Sequence, residues 1–230
     1  MRSVTLLYRK FVAIVAASLL AAGPSRPKAI PLGTVTQAEQ AHLGSAEASV
    51  GSTIYDGDRL STDSGGVLRF SSIALTLQLD SNSSVTLRGA RVPEGDIQAE
   101  LGSGTVIFSS GQASNIAVLA DGALIRPAAH AFTVAHIRVT SPKELRIYAQ
   151  RGALDFSYHG QSAVILEDTA YRVLLDPSER EIDAAAESGR GRNPPAKGHV
   201  KFVLLTIGIA AGGAIAMMRH RHHMESPDRP

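Results

Sequence analysis

Short runs in which apolar and polar residues alternate occupy most of the chain between residues 33 and 177. In Leu75-Thr-Leu-Gln-Leu79 the three leucines fall on one face of an extended strand and the polar residues on the other. Turn-forming pairs such as Asp56-Gly57, Asp121-Gly122 and His159-Gly160 recur about every ten residues. We therefore predict an all-β fold, a single domain of many short antiparallel strands arranged as a β-roll, a sandwich or a flattened solenoid.

Catalytic and cofactor motifs are missing from this pattern. The chain has no GxSxG, HExxH or Walker A sequence, no GxGxxG that opens a helix, and no cysteine. No amphipathic segment of about 10–15 residues separates the predicted strands, which argues against an α/β enzyme fold. We predict that the protein is not an enzyme and that it has no catalytic residue and no cofactor.

The charge is divided unevenly along the chain. Residues 33–176 carry nine arginines and one lysine against fifteen aspartates and glutamates, a net charge of −5, although the whole chain has a net charge of +2. The positive charge therefore lies in the terminal segments. A mildly acidic domain lacks the basic surface that binds phosphate backbones, so we predict that it does not bind nucleic acid.

The N-terminal segment, residues 1–23, has the pattern of a secretory signal. Arg2, Arg9 and Lys10 precede an apolar run over residues 11–22, and Pro24 follows. A run of twelve residues is short for a membrane span, which favours a signal peptide that is removed. An uncleaved signal-anchor is the alternative.

A second apolar run covers residues 202–218 without a charge, between Lys201 and Arg219. As a helix its 17 residues extend ~25 Å, near the lower limit for a span. We predict a transmembrane helix here, a flexible linker over residues 178–201 and a basic cytoplasmic tail over residues 219–230.

The predicted membrane helix has a face of small residues, Gly208, Gly212 and Ala216. This spacing allows two helix backbones to approach closely, so the helix could form a homodimer. Gly- and Ala-rich segments also produce the spacing by chance.

The stretch from Gly51 to Phe70 resembles the opening of a FecR domain. Five positions carry the resemblance: Gly51, Gly57, Asp58, Leu60 and Thr62. Later segments, residues 145–154 and 164–175, are similar to the closing strands of the same family. The resemblance covers most of residues 33–176 and implies a periplasmic β domain.

The chain also departs from the family pattern. His130-Ala131 stands before Phe132 where the family often has Gly-Thr. Sensor members carry a helical anti-sigma region ahead of their membrane segment, but only about ten residues precede Phe11 here. We therefore expect the FecR-like domain without the N-terminal anti-sigma region.

Residues of the types that bind metal ions are scattered along the sequence. His130 and His136 share one face of a possible strand but would lie ~20 Å apart, too far to share an ion. The aspartates at positions 56, 58 and 63 suit calcium or turn capping equally well, and the histidines at 220, 222 and 223 suit a weak metal site or a basic tail. We predict no metal site.

These features together predict a non-enzymatic protein of the inner (cytoplasmic) membrane, anchored there with its FecR-like β domain on the periplasmic side. We expect the domain to bind an envelope or membrane protein partner, or an envelope ligand, in signalling or regulation. The first alternative is a structural or transport-bridging protein that handles lipid or polysaccharide. The second is an envelope hydrolase, which would need His, Asp and Ser side chains grouped in one pocket.

Overall fold

The computed structural model describes residues 31–73, 75–89, 97–112, 116–128, 131–178, 191–192 and 201–207. These residues form sixteen β-strands and no helix, which confirms the all-β prediction. No helix that could cross a membrane occurs in this part of the chain. The strands are β1 Pro31–Leu43, β2 Ala46–Glu47, β3 Thr53–Tyr55, β4 Arg59–Ser72, β5 Leu75–Leu79, β6 Ser84–Gly89, β7 Ile97–Ser110, β8 Ile116–Ala120, β9 Ala123–Pro127, β10 Thr133–Ser141, β11 Glu144–Arg151, β12 Leu154–Tyr158, β13 Gln161–Ile165, β14 Thr169–Leu175, β15 Gly191–Arg192 and β16 Phe202–Ile207.

Two long strands, β4 and β7, change neighbours along their length. The first half of each pairs with β6 and the second half with β5. The hydrogen-bonded sheet therefore turns back on itself and forms two layers. The first layer contains β6, β8, β9, β12 and β13, and the second contains β5, β10, β11, β14 and β16. Phe156 and Phe202 meet between the layers with ring centroids 4.8 Å apart.

The bends in these strands combine glycine with a hydroxyl network. Gly65 in β4 has a φ of +81° and Gly104 in β7 a φ of +78°, a region that residues with a Cβ rarely adopt. The hydroxyl of Thr62 accepts a hydrogen bond from the Ser83 N–H (3.0 Å), and the Ser83 hydroxyl accepts one from the Thr105 N–H (2.8 Å). The β5–β6 connection is thereby tied to both bent strands.

Among the described strands, the pairing differs from the predicted antiparallel arrangement at one place. β8 runs parallel to the first half of β7, with Ile116 opposite Ile97. Because the second half of β7 belongs to the other layer, the chain re-enters the first layer beside the start of β7 and runs in the same direction. Strands β1, β4 and β7, at 13 and 14 residues, are also longer than the short strands that we predicted.

The first six residues of the predicted C-terminal membrane helix form a strand in the structure. Phe202–Ile207 form β16, which pairs antiparallel with β14. Phe202 and Leu204 point into the core, whereas Val203 lies opposite Leu174 on the outer face, where both are buried. A strand buried on both faces has the same uninterrupted apolar sequence as a membrane segment.

Other predicted segments lie outside the described residues. These are residues 1–23, residues 208–218 with Gly208, Gly212 and Ala216, and the tail 219–230. Within the predicted linker, Gly191–Arg192 form β15 and pair with β16, so this part of the linker belongs to the sheet.

Candidate functional site

The FecR-like motif forms a turn between β3 and β4. Gly57 has a φ of +88°, and its N–H donates to the Leu87 carbonyl at 2.8 Å. The Asp58 carboxylate accepts from the Tyr55 N–H at 2.8 Å, and Asp56 accepts from the Gly89 N–H at 3.0 Å. Both aspartates therefore bond main-chain amides, and the turn holds the end of β6 in place.

The remaining motif residues belong to the interior and to a neighbouring turn. Leu60 is fully buried, and Thr62 is 5% exposed at the bend of β4. Gly51 has a φ of +90° in the turn before β3. The structure thus brings Gly57, Asp58 and Leu60 together along one stretch of chain, where they shape the turn and fill the core.

The histidines lie apart from one another. His42 contacts the Asp63 carboxylate at 2.8 Å, and His136 contacts the Gln150 side chain at 3.1 Å. His159 packs edge-on against Tyr158 in the β12–β13 turn, and His130 is outside the described residues. Across the part of the chain that the structure describes, no three His, Cys, Asp or Glu side chains form a group that could hold a metal ion.

The outer edge of the first layer is formed by β13. Among the described strands β12 is its one neighbour, and a two-residue turn joins the two. Tyr158 and Gln161 flank that turn as the first hydrogen-bonded pair of the hairpin, so the N–H groups of Ser162 and Val164 point away from β12. Two apolar side chains at this edge are exposed, Val164 at 50% and Leu166 at 46%.

The β12–β13 hairpin is fastened to the second layer at its turn. The Tyr158 hydroxyl donates to Asp176 at 2.8 Å, and Lys143 lies 3.7 Å from the same carboxylate. The Lys201 N–H donates to the Gln161 side chain at 3.1 Å. A hairpin held in this way presents its edge at a defined position.

Burial and the hydrogen bond to Asp176 raise the pKa of Tyr158 to about 12. The same hydrogen bond, together with Lys143 and Lys201, lowers the pKa of Asp176. The pair is therefore a neutral phenol that donates to a carboxylate across the range between these two pKa values. This contact joins residues 18 positions apart, and the sequence pattern carries no signal for it.

No protein-family model and no curated protein matches this chain. Two crystal structures of a candidate anti-sigma factor from Parabacteroides distasonis are similar to it, with TM-scores of 0.41 and 0.42. They are 10% and 9% identical, and each match covers 50% of this chain and 54% of that chain. The match thus spans about half the length of the solved chains. It assigns neither a family nor a function to this protein.

Proposed function

We propose that the protein is a non-enzymatic, FecR-like binding module of the cell envelope, whose β13 edge pairs with an extended segment of a protein partner. The observation that carries this proposal is the edge itself, where main-chain groups face outward beside the exposed side chains of Val164 and Leu166. Pairing to a sheet edge supplies main-chain hydrogen bonds, and neighbouring apolar side chains supply specificity.

The surroundings of β13 support this role. Exposed edges favour uncontrolled pairing, and soluble domains commonly protect them with charged residues or proline. The sequence Gln161-Ser-Ala-Val-Ile165 contains neither, so the edge has no such protection within the strand. An edge of this kind is suited to recognition.

The filled core disfavours the alternative of lipid transport. The inner faces of both layers carry fully buried side chains such as Phe70, Phe108 and Phe156. A carrier of acyl chains needs a continuous apolar groove, and a binding module does not. We therefore retain the binding module and its role in signalling or regulation.

The proposed location is the periplasmic side of the inner membrane, with export directed by residues 1–23. β16 and a membrane helix over residues 202–218 exclude each other. Without residues 202–207 that helix would keep eleven residues, ~16 Å in length, against a hydrocarbon core about 30 Å thick. Membrane attachment therefore depends on the N-terminal segment, or on release of β16 from the sheet.

The edge is tested by placing a photo-crosslinking amino acid at position 166 in living cells. We expect a discrete cross-linked species that disappears on adding Val164→Pro, because proline removes an N–H that faces outward and leaves pairing with β12 intact. The matched control has the crosslinker at Ile73, an exposed apolar residue between β4 and β5. Equal cross-linking at both sites, or cross-linking that survives Val164→Pro in a folded variant, would contradict pairing of a partner with the β13 edge.

The location is tested separately with Ile73→Cys, since the chain has no native cysteine and this side chain is exposed. We expect an impermeant thiol reagent to label position 73 in cells whose outer membrane has been permeabilised. Labelling only after lysis would place the domain in the cytoplasm and refute export.

A further inference from the structure

The outer face of the second layer carries three arginines directly opposite one another on three neighbouring strands. Arg138 in β10 is in register with Arg146 in β11, and Arg146 with Arg172 in β14. The Cβ atoms of directly opposite residues are about 4.5–5.5 Å apart, and like charges at this distance destabilise a sheet. Negatively charged groups beside such a row would offset the repulsion between the arginines.

One of the three charges is balanced within the protein. Arg172 forms a two-point contact with Glu144, with Nε–Oε1 at 2.9 Å and an NH2–Oε2 distance of 2.8 Å. Arg138 and Arg146 are exposed, and neither has an ion-pair partner among the described residues. Two adjacent guanidinium groups are thus left with their donors available.

These two arginines line a cleft of about 290 Å³. Asp80 and Thr105 contribute polar groups to the cleft, and Tyr148, Ala170 and Ile207 contribute apolar surface. The volume lies at the lower limit of small-molecule sites, which is about 300 Å³. The cleft therefore has room for one compact ligand.

The polar walls of the cleft are held in position by their own contacts. The Tyr148 hydroxyl donates to Asp168 at 3.1 Å, and its ring lies 5.7 Å from that of His136. Asp80 accepts a hydrogen bond from the Gln78 side chain at 3.1 Å. The aromatic surface and the carboxylate are thus in place before a ligand binds.

We propose that this cleft binds an acidic sugar unit, a monosaccharide bearing a carboxylate or a phosphate. The oxyanion contacts Arg138 and Arg146, whose planar guanidinium groups match two-oxygen acceptors. Asp80 and Thr105 accept hydrogen bonds from ring hydroxyls of the sugar, and the apolar face of the sugar packs against Tyr148. A neutral sugar leaves the two arginines unbalanced, and a bare oxyanion leaves Asp80 without a donor from the ligand.

A long polyanion fits this surface less well than a single unit. Residues 33–176 carry a net charge of −5, so negative charge outside the cleft repels an extended acidic chain. The site is separate from the β13 edge, which lies in the first layer. A ligand can therefore bind in the cleft whether or not a protein partner occupies the β13 edge.

Isothermal titration of the full chain with D-glucuronate, glucose 6-phosphate, glucose and inorganic phosphate tests the proposal. We expect at least one of the two acidic sugars to bind, at least ~10-fold more tightly than glucose or inorganic phosphate. Arg138→Gln and Arg146→Gln should each weaken binding by ~10-fold or more, because each removes hydrogen bonds to a charged group. Arg→Lys at either position should restore part of the affinity, since lysine keeps the charge and lacks the fork.

The matched control is Arg126→Gln, an exposed arginine of β9 in the first layer, which should bind as the wild type does. Circular dichroism and thermal unfolding show that the variants are folded. The proposal is overturned if neither acidic sugar binds, if glucose binds equally well, or if Arg126→Gln weakens binding as much as Arg146→Gln. Inorganic phosphate binding as tightly as glucose 6-phosphate would likewise overturn recognition of the sugar.

Discussion

Phe202 lies in β16, the strand that replaces the beginning of the predicted membrane helix. Its side chain is fully buried and packs edge-on against Phe156 of the first layer, with ring centroids 4.8 Å apart. Truncation to alanine removes the ring and leaves a cavity between the layers. Such changes cost about 3–5 kcal/mol, a large part of the 5–15 kcal/mol that holds a typical domain together.

We therefore expect Phe202→Ala to lower the free energy of unfolding of the full chain by about 3–5 kcal/mol. The measurement is urea unfolding of protein purified in a mild detergent, followed by far-ultraviolet circular dichroism. Ile207→Ala is the matched control, because Ile207 belongs to the same strand and the same apolar run but is 38% exposed. Ile207→Ala should lower the free energy of unfolding by less than about 1 kcal/mol.

A double-mutant cycle locates the effect. If the rings interact as described, Phe156→Ala and Phe202→Ala together should show a coupling energy of about 0.5–1.5 kcal/mol. In a membrane helix, positions 202 and 207 would be equivalent and neither would affect the β domain. A Phe202→Ala variant as stable as Ile207→Ala, with no coupling to Phe156, would refute the assignment of β16 to the core.

The bend of β7 at Gly104 and the hydrogen bond between Tyr158 and Asp176 are each tested by a single substitution. Gly104→Ala should destabilise the domain by about 1–3 kcal/mol in urea unfolding, because the φ of Gly104 is +78° and a Cβ would lie 2.6 Å from the Asn82 carbonyl oxygen. A Cβ at Gly102 would lie 3.7 Å from its nearest neighbour, so the control Gly102→Ala should change the free energy of unfolding by no more than about 0.5 kcal/mol. Equal losses of stability in the two variants would argue against the bend at Gly104. Tyr158→Phe should remove about 1.5–3 kcal/mol at neutral pH, through loss of the bond to Asp176. The pKa of Tyr158 in the folded protein lies above its unfolded value, so the stabilisation by this hydrogen bond is complete below about pH 10 and is lost as the pH rises through about 12. The wild type should therefore lose more stability than Tyr158→Phe over that interval. Parallel profiles of stability against pH would contradict this.

Local pattern was enough to identify the strands and several of their turns. Alternation has a period of two and depends only on which residues are apolar, so Leu75, Leu77 and Leu79 could be assigned to one face, and all three are buried. Asp121-Gly122 and His159-Gly160 adopt positive φ at both positions and close two-residue hairpins. Such turns depend on short-range sterics, which the residue types themselves encode.

Register between distant strands was decided by the tertiary structure alone. Arg146 in β11 and Arg172 in β14 are separated in sequence by the β12–β13 hairpin, and a one-residue slip in their pairing would point one of them into the core. The clamp between Tyr158 and Asp176 depends on how the two layers face each other. The apolar run at residues 202–207 suits a membrane or a two-sided core, and pairing with β14 selects the core. Apolar sequence specifies the need for burial, whereas the place of burial depends on long-range pairing that no local period records.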